Sequence, residues 1–170
     1  YDRLTEMAAA ASAFRSLLDV DDPAFAAPGD MPARIQANCR QTGQPMPETR
    51  GEIVRTALDS LALKYRYVLA QMEGILERRL SPLHVVGGGA RNRLLCQLAA
   101  DATGRAVVAG PVEATAAGNV LMQAVALGHL GSVAEARDVV RHSFGISTYE
   151  PRPDPAVEDA YGRLLELVGR

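Results

Sequence analysis

The chain carries no excess of positive charge: 18 Lys and Arg stand against 20 Asp and Glu, a formal net charge of −2. A nucleic-acid-binding face draws on clustered basic residues, so nucleic acid is not an expected partner. Nor is there a long apolar run. The most apolar stretch, 116–130, is broken by Gly118, Asn119, Gln123 and Gly128, whereas a membrane span needs roughly 20 apolar residues. No membrane partner is expected either. Cysteine is scarce: Cys39 and Cys96 lie far apart in no metal-type spacing and read as two reduced cytosolic thiols. His84, His129 and His142 are scattered, none at a ligand spacing with another Cys or His, so no metal ligand set is expected in this chain. There is no initiator methionine and no signal-peptide pattern. The opening YDRLTEMAAAAS reads as the start of a helix in a cytoplasmic protein, and as part of a longer chain.

What is present is a globular composition. Apolar residues make up 48% of 170 residues, enough for one domain with its own core. Residues 2–16, rich in Ala, Leu and Met, predict a helix. Residues 19–32 carry three prolines and a glycine and predict an ordered loop. Asp30 then caps a helix from Met31 to about Arg40. Thr49 opens the longest helix, with Glu52 in capping-box position. Its apolar stripe is Val54, Leu58, Leu61, Tyr65, Val68, Met72 and Ile75. Two strand-plus-helix units follow: LHVVG (83–87) with ARNRLLCQLAADATG, and AVVAG (106–110) with EATAAGNVLMQAVALG. Gly104 and Gly128 end the two helices. This order predicts α/β packing with parallel strands. A helix over 132–143, capped by Ser132 with Glu135 in box position, an extended exit (ISTYEPRPDP) and a terminal amphipathic helix complete the chain.

The stretch HVVGGGARNR, 84–93, is the candidate site. A strand that ends in three glycines and feeds a helix leaves free N–H groups pointing at one place, and the helix dipole adds partial positive charge. With no Cβ in the way, a phosphate, ribose or base can rest on the backbone. Asn92 is expected in the first helical turn, its amide available to such a ligand. The bland alternative is a tight left-handed turn with no ligand. A Walker loop is excluded, because Ala-Arg-Asn stands where Gly-Lys-Ser/Thr is needed. The dinucleotide fingerprint is matched only in part, as Gly87-x-Gly89-x-x-Asn92. Glu113, 24 residues after Gly89, lies near the distance for a ribose-binding acid. Pro111 separates it from the second strand, so it belongs more naturally to the next helix start. A dinucleotide-binding oxidoreductase stays as the weaker reading.

The run VVGGGARNRLLCQLAADATGRAVVAGPVEATAAGNVLMQAVALG resembles the C-terminal domain of FGGY-type carbohydrate kinases. The segments GPVEAT..GN, FRSLLDVDDPAFAAPGDMPARIQANCRQTGQPMPET and LDSLALKYR carry the similarity back toward Tyr1 and are its more specific part. The resemblance implies an α/β fold of the actin-like ATPase (ribonuclease H-like) type, with this chain as part of the C-terminal domain of a two-domain sugar kinase. It implies that the whole enzyme transfers the γ-phosphate of ATP, with Mg2+, to the 1-hydroxyl of L-rhamnulose in rhamnose catabolism. Carried over residue by residue, Gly88 would contact the nucleotide near its α-phosphate, Gly87 and Gly89 would shape the loop, and Asn92 would approach the adenosine. Gly110, Glu113 and Thr115 match a motif beside that site, and Glu113 and Thr115 read mainly as helix-start residues. Ala117 stands where the family more often has Leu, a packing change. The general-base Asp and the sugar-binding residues belong to the N-terminal domain, so L-rhamnulose would be met only through that part, and no catalytic residue is expected here. Without paired carboxylates, a Ser/His/Asp set or a Cys/His pair, the chain offers no other chemistry. Asp101 and Asp138 read as solvated helix residues. A truncated, non-catalytic remnant or interaction module is the alternative.

Overall fold

The computed structural model describes residues 2–169. Among the described residues, seven α-helices and three short strands follow the order α1 (Asp2–Ala9), α2 (Met31–Gln41), α3 (Arg50–Leu76), β1 (Leu83–Val85), α4 (Arg93–Thr103), β2 (Val107–Ala109), α5 (Ala114–Ala126), α6 (Val133–Ser143), β3 (Ser147–Tyr149) and α7 (Pro155–Val168). The sheet order is β1-β2-β3. The β1–β2 pair is parallel, as expected from two strand-plus-helix units, with His84 opposite Val108. The β2–β3 pair is antiparallel, so part of the expected extended exit is a strand.

Local capping chemistry sets several boundaries. Asp30 accepts from the Ala33 N–H and starts α2. The Thr49 hydroxyl accepts from the Glu52 N–H, and the Glu52 carboxylate accepts from the Thr49 and Glu48 N–H groups. Ser132 caps α6, while Glu135 reaches back one residue further, to the Gly131 N–H. Gly104 ends α4 in the left-handed region.

The first helix is shorter than expected. It stops at Ala9 because side chains of α3 and the Gln44 loop claim the backbone that follows. Asp59 accepts from the Phe14 N–H at 2.7 Å and Ser60 from the Leu18 N–H at 2.9 Å. Gln44 brackets Leu17, accepting from its N–H and donating to its carbonyl. Partners tens of residues away thus replace the intrahelical bonds.

The α3 stripe also needs correction. Leu58 is buried, but Val68, Met72 and Ile75 are exposed, Ile75 by 82%. The covered face runs through Thr56, Asp59, Ser60, Leu63 and Leu69, because α1 and α4 pack there. The principal core joins Ala8, Phe14, Leu58, Leu63, Leu95, Leu98, Val157 and Leu164, from α1 and the segment after it, α3, α4 and α7. Cys96, Ala99, Val107 and Ala109 form a second core that seats α4 on the sheet. Asp101, expected to be solvated, is largely covered: Arg152 pairs with its carboxylate at 2.8 Å and ties the segment after β3 to α4. Asp138 lies on the exposed side of α6 and pairs with Arg141.

Candidate functional site

The three glycines follow β1 directly. They form a 3-10 turn over Gly87–Arg91, so α4 starts at Arg93 and not at Ala90. Gly87 has φ +75°, a conformation costly for a residue with a Cβ. Its N–H donates to the Pro111 carbonyl at 3.2 Å, while the Gly110 N–H donates to the Val85 carbonyl at 2.8 Å. These two bonds lace together the carboxyl ends of the parallel strands. Gly110 has φ +116°, and a Cβ there would lie 2.8 Å from the Gly145 carbonyl oxygen. Glycine at 110 is therefore dictated by the packing of the strand ends.

Gly88 differs. It is exposed, and a Cβ built there meets nothing within 4 Å. No protein contact explains its lack of a side chain. Gly89 uses its carbonyl to accept from the Asn92 N–H at 3.1 Å. Asn92 stands three positions earlier in the helix than expected, at the N-cap of α4, where its Oδ1 accepts from the Leu95 N–H at 3.0 Å. What it can offer a ligand is the Nδ2 donor. The structure thus brings Gly87, Gly88, Gly89 and Asn92 to one strand end and one helix start.

Glu113 occupies the N-cap position of α5 but does not cap it. Its carboxylate lies 3.5 Å from Arg91 across the gap between the two loops. Both side chains are exposed, so the pair contributes about 0–1 kcal/mol. Thr115 is exposed in the first turn of α5. The lacing by Pro111 and the Arg91 pair were not legible in the residue spacing, because a carbonyl and a surface arginine leave no pattern.

A charged cleft of about 740 Å³ lies elsewhere, lined by residues including Arg66, Glu73, Asp101, Arg105, Arg152 and Glu158. Arg79 and Arg105, which precede β1 and β2, place it at the amino ends of the strands, whereas α/β sheets bind ligands at the carboxyl ends. Its charges pair off as Arg66–Glu158, Arg105–Glu73 and Arg152–Asp101. The Leu80 N–H and Arg105 hold Glu73 below the usual carboxylate range. Burial pushes the Cys39 and Cys96 thiols up, which makes them poor nucleophiles. Among the described residues, no group of three or more His, Cys, Asp or Glu is placed to hold a metal, and no helix is long and apolar enough to cross a membrane.

Residues 1–127 match the C-terminal domain of the FGGY family of carbohydrate kinases. The chain belongs to that family. Rhamnulokinases from Bacteroides thetaiotaomicron, Enterococcus faecalis and Bacillus subtilis are 47%, 45% and 41% identical to it. The alignments cover 99%, 98% and 89% of this FGGY chain but only 35%, 34% and 31% of those proteins. The chain therefore spans about a third of the length of the curated relatives it matches. The xylulose kinase from Rhodospirillum rubrum superposes with a TM-score of 0.60 at 26% identity, over 99% of this chain and 33% of that one. The FGGY chain thus has the fold of part of an actin-like ATPase, with the glycine turn at its two parallel strand ends.

Proposed function

We propose that this chain is the nucleotide-binding portion of a rhamnulokinase-like kinase, which transfers the ATP γ-phosphate to the 1-hydroxyl of L-rhamnulose in the cytoplasm. The observation that carries the reading is Gly88: an exposed glycine with open space around it, at the carboxyl end of a parallel strand, where no packing demands glycine. The residues fit a nucleotide. Backbone N–H groups of the glycine turn would receive a phosphate, and Asn92 Nδ2 would donate to the adenosine side. The Arg91 guanidinium adds positive charge beside the turn. Mg2+, when bound with ATP, supplies charge neutralisation of the phosphates. Among the described residues no group of three or more His, Cys, Asp or Glu is placed to hold it, so on this reading its ligands belong to the nucleotide and to the rest of the kinase. On this reading the general base and the sugar site also lie outside this chain, in an N-terminal domain. The chain alone binds nucleotide and does not phosphorylate L-rhamnulose.

The test is calorimetric titration of the folded chain with ADP, with NAD as comparator. ADP binding without NAD binding is the expected result. A folded chain that binds neither would mark a non-catalytic module that keeps the fold without the ligand. Preference for NAD would restore the dinucleotide reading. Turnover of L-rhamnulose above a denatured control would overturn the assignment of the base to another part.

A further inference from the structure

The glycine turn carries one charged side chain, Arg91, and the geometry of the turn aims it. Residues Gly87–Arg91 form a 3-10 turn. Three residues complete one turn of such a helix, so positions i and i+3 lie one above the other. Gly88 and Arg91 are three apart and share a face. On that face Gly88 leaves open space, with nothing within 4 Å of a Cβ built there, and Arg91 is exposed. A group resting on the Gly88 backbone therefore lies on the side from which the guanidinium projects. Across the gap stands Glu113, which holds the N-cap position of α5 without making a capping bond. The helix it precedes does not account for it. Its carboxylate lies 3.5 Å from the Arg91 guanidinium, and the two side chains are 72% and 71% exposed. A charge-assisted hydrogen bond is shorter, about 2.7–2.9 Å. A pair this long and this open to water is weak and easily exchanged.

We propose that Arg91 grips a phosphate of the nucleotide and that Glu113 is its competitor: a phosphate oxygen of a bound nucleoside diphosphate takes the place of Glu113 on the guanidinium. The inference rests on the nucleotide reading above and deepens it. The planar guanidinium can meet a phosphate through two parallel N–H···O bonds. A carboxylate beside the same site does the reverse and repels an arriving polyanion. The exchange makes and breaks an ion pair and no covalent bond. Arg91 thus acts on the phosphates and not on the base or ribose, and Glu113 lowers the affinity that Arg91 provides.

The experiment titrates the folded chain calorimetrically with ADP and with adenosine, which has the base and ribose but no phosphate. Arg91→Gln is expected to weaken ADP binding about tenfold and to leave adenosine binding unchanged. Arg91→Lys, which keeps the charge without the fork, should fall between Arg91→Gln and the wild-type chain. Glu113→Gln should tighten ADP binding about two- to fivefold, again without effect on adenosine. Urea midpoints of all three variants should match the wild-type chain, since both side chains are exposed. An equal loss for ADP and adenosine in Arg91→Gln overturns the proposal, because it marks a structural role. So does an ADP affinity that ignores either glutamine substitution. Weaker binding of both ADP and adenosine by Glu113→Gln also overturns it, by making Glu113 a ribose ligand. Failure of the nucleotide reading is separable: a folded wild-type chain that binds no ADP sinks both, whereas ADP binding that Arg91→Gln leaves intact sinks the exchange alone.

Discussion

Helices α3 and α5 make opposite use of their side chains. In α3, polar Thr56, Asp59 and Ser60 are buried while apolar Ile75 is 82% exposed. In α5, wholly uncharged, nothing is buried. Burial is set by what packs against a helix. The helical block of α1, α3, α4 and α7 has its partners and spends buried polar groups to hold the 14–18 segment. The open side, with α5, α6 and the strand ends, has apolar surface without cover. Stability is therefore concentrated in the first region, and it is in the second that the proposed nucleotide site lies.

The sharpest way to break this contrast is Asp59→Ala. It strips the acceptor from the Phe14 N–H and leaves Arg55, whose side chain is 11% exposed, without its pair. Urea unfolding is expected to show a loss of about 3–5 kcal/mol. The milder Asp59→Asn isolates the ionisation. Burial pushes the Asp59 carboxyl above its ordinary value, against the Phe14 N–H bond and the Arg55 charge. Between the ordinary value of about 3.9 and the raised one, the folded chain holds a proton that the unfolded chain has lost. The contribution is full below that range and fades as pH rises through the raised value. The wild-type urea midpoint should therefore fall relative to Asp59→Asn over that interval, and a flat difference would contradict it.

Next in size is a matched pair of apolar truncations. Leu63→Ala, at a fully buried site, should cost about 2–5 kcal/mol. Val120→Ala on α5 should change stability by less than about 0.5 kcal/mol. Comparable losses in the isolated chain would mean that α5 is packed after all. On the open side, Gly88→Val should leave the unfolding midpoint nearly unchanged, since a Cβ there meets nothing within 4 Å. It should weaken ADP binding several-fold in calorimetry, and unaltered affinity would remove the glycine turn from the site. The smallest effect belongs to Glu52→Gln. The N–H groups of Thr49 and Glu48 hold the Glu52 carboxyl below the usual range. The advantage of Glu over Gln at the start of α3 should be present above the ordinary glutamate value, near about 4.3, and vanish as pH falls through the lowered one. Thermal midpoints of the two proteins at pH 7 and pH 3 read it directly.

The legible parts of the fold are the ones decided within a few residues. Asp30, the Thr49–Glu52 box, Ser132 and Gly104 each act on N–H or C=O groups three or four positions away, so the sequence displays the whole interaction. The parallel β1–β2 pair follows from the two strand-plus-helix units, and the glycine turn stands at the expected strand end. What escaped was settled at long range. Helix α1 gives way after Ala9 because Asp59 and Ser60, more than forty residues on, capture the Phe14 and Leu18 N–H groups. The stripe on α3 misleads at Val68, Met72 and Ile75 because regular spacing identifies an apolar face without saying whether a neighbour covers it. β3 was hidden because three residues, Ser-Thr-Tyr, carry too little pattern to separate a strand from an extended exit. At the site, Asn92 turned out to cap α4. The 3-10 turn of the glycines delays the helix, which no local periodicity announces.

Helix α7 returns to the beginning of the chain. Arg163 donates to the Phe14 carbonyl at 2.6 Å, Arg66 grips Glu158 through two bonds of 2.8 Å, and Val157, Ala160 and Leu164 share a core with Ala8 and Leu63. In the time order of synthesis, Phe14 waits for Arg163, 149 residues later. The helical block closes only when α7 has left the ribosome, and until then the apolar faces of α1 and α3 stand open to chaperones and to neighbouring chains.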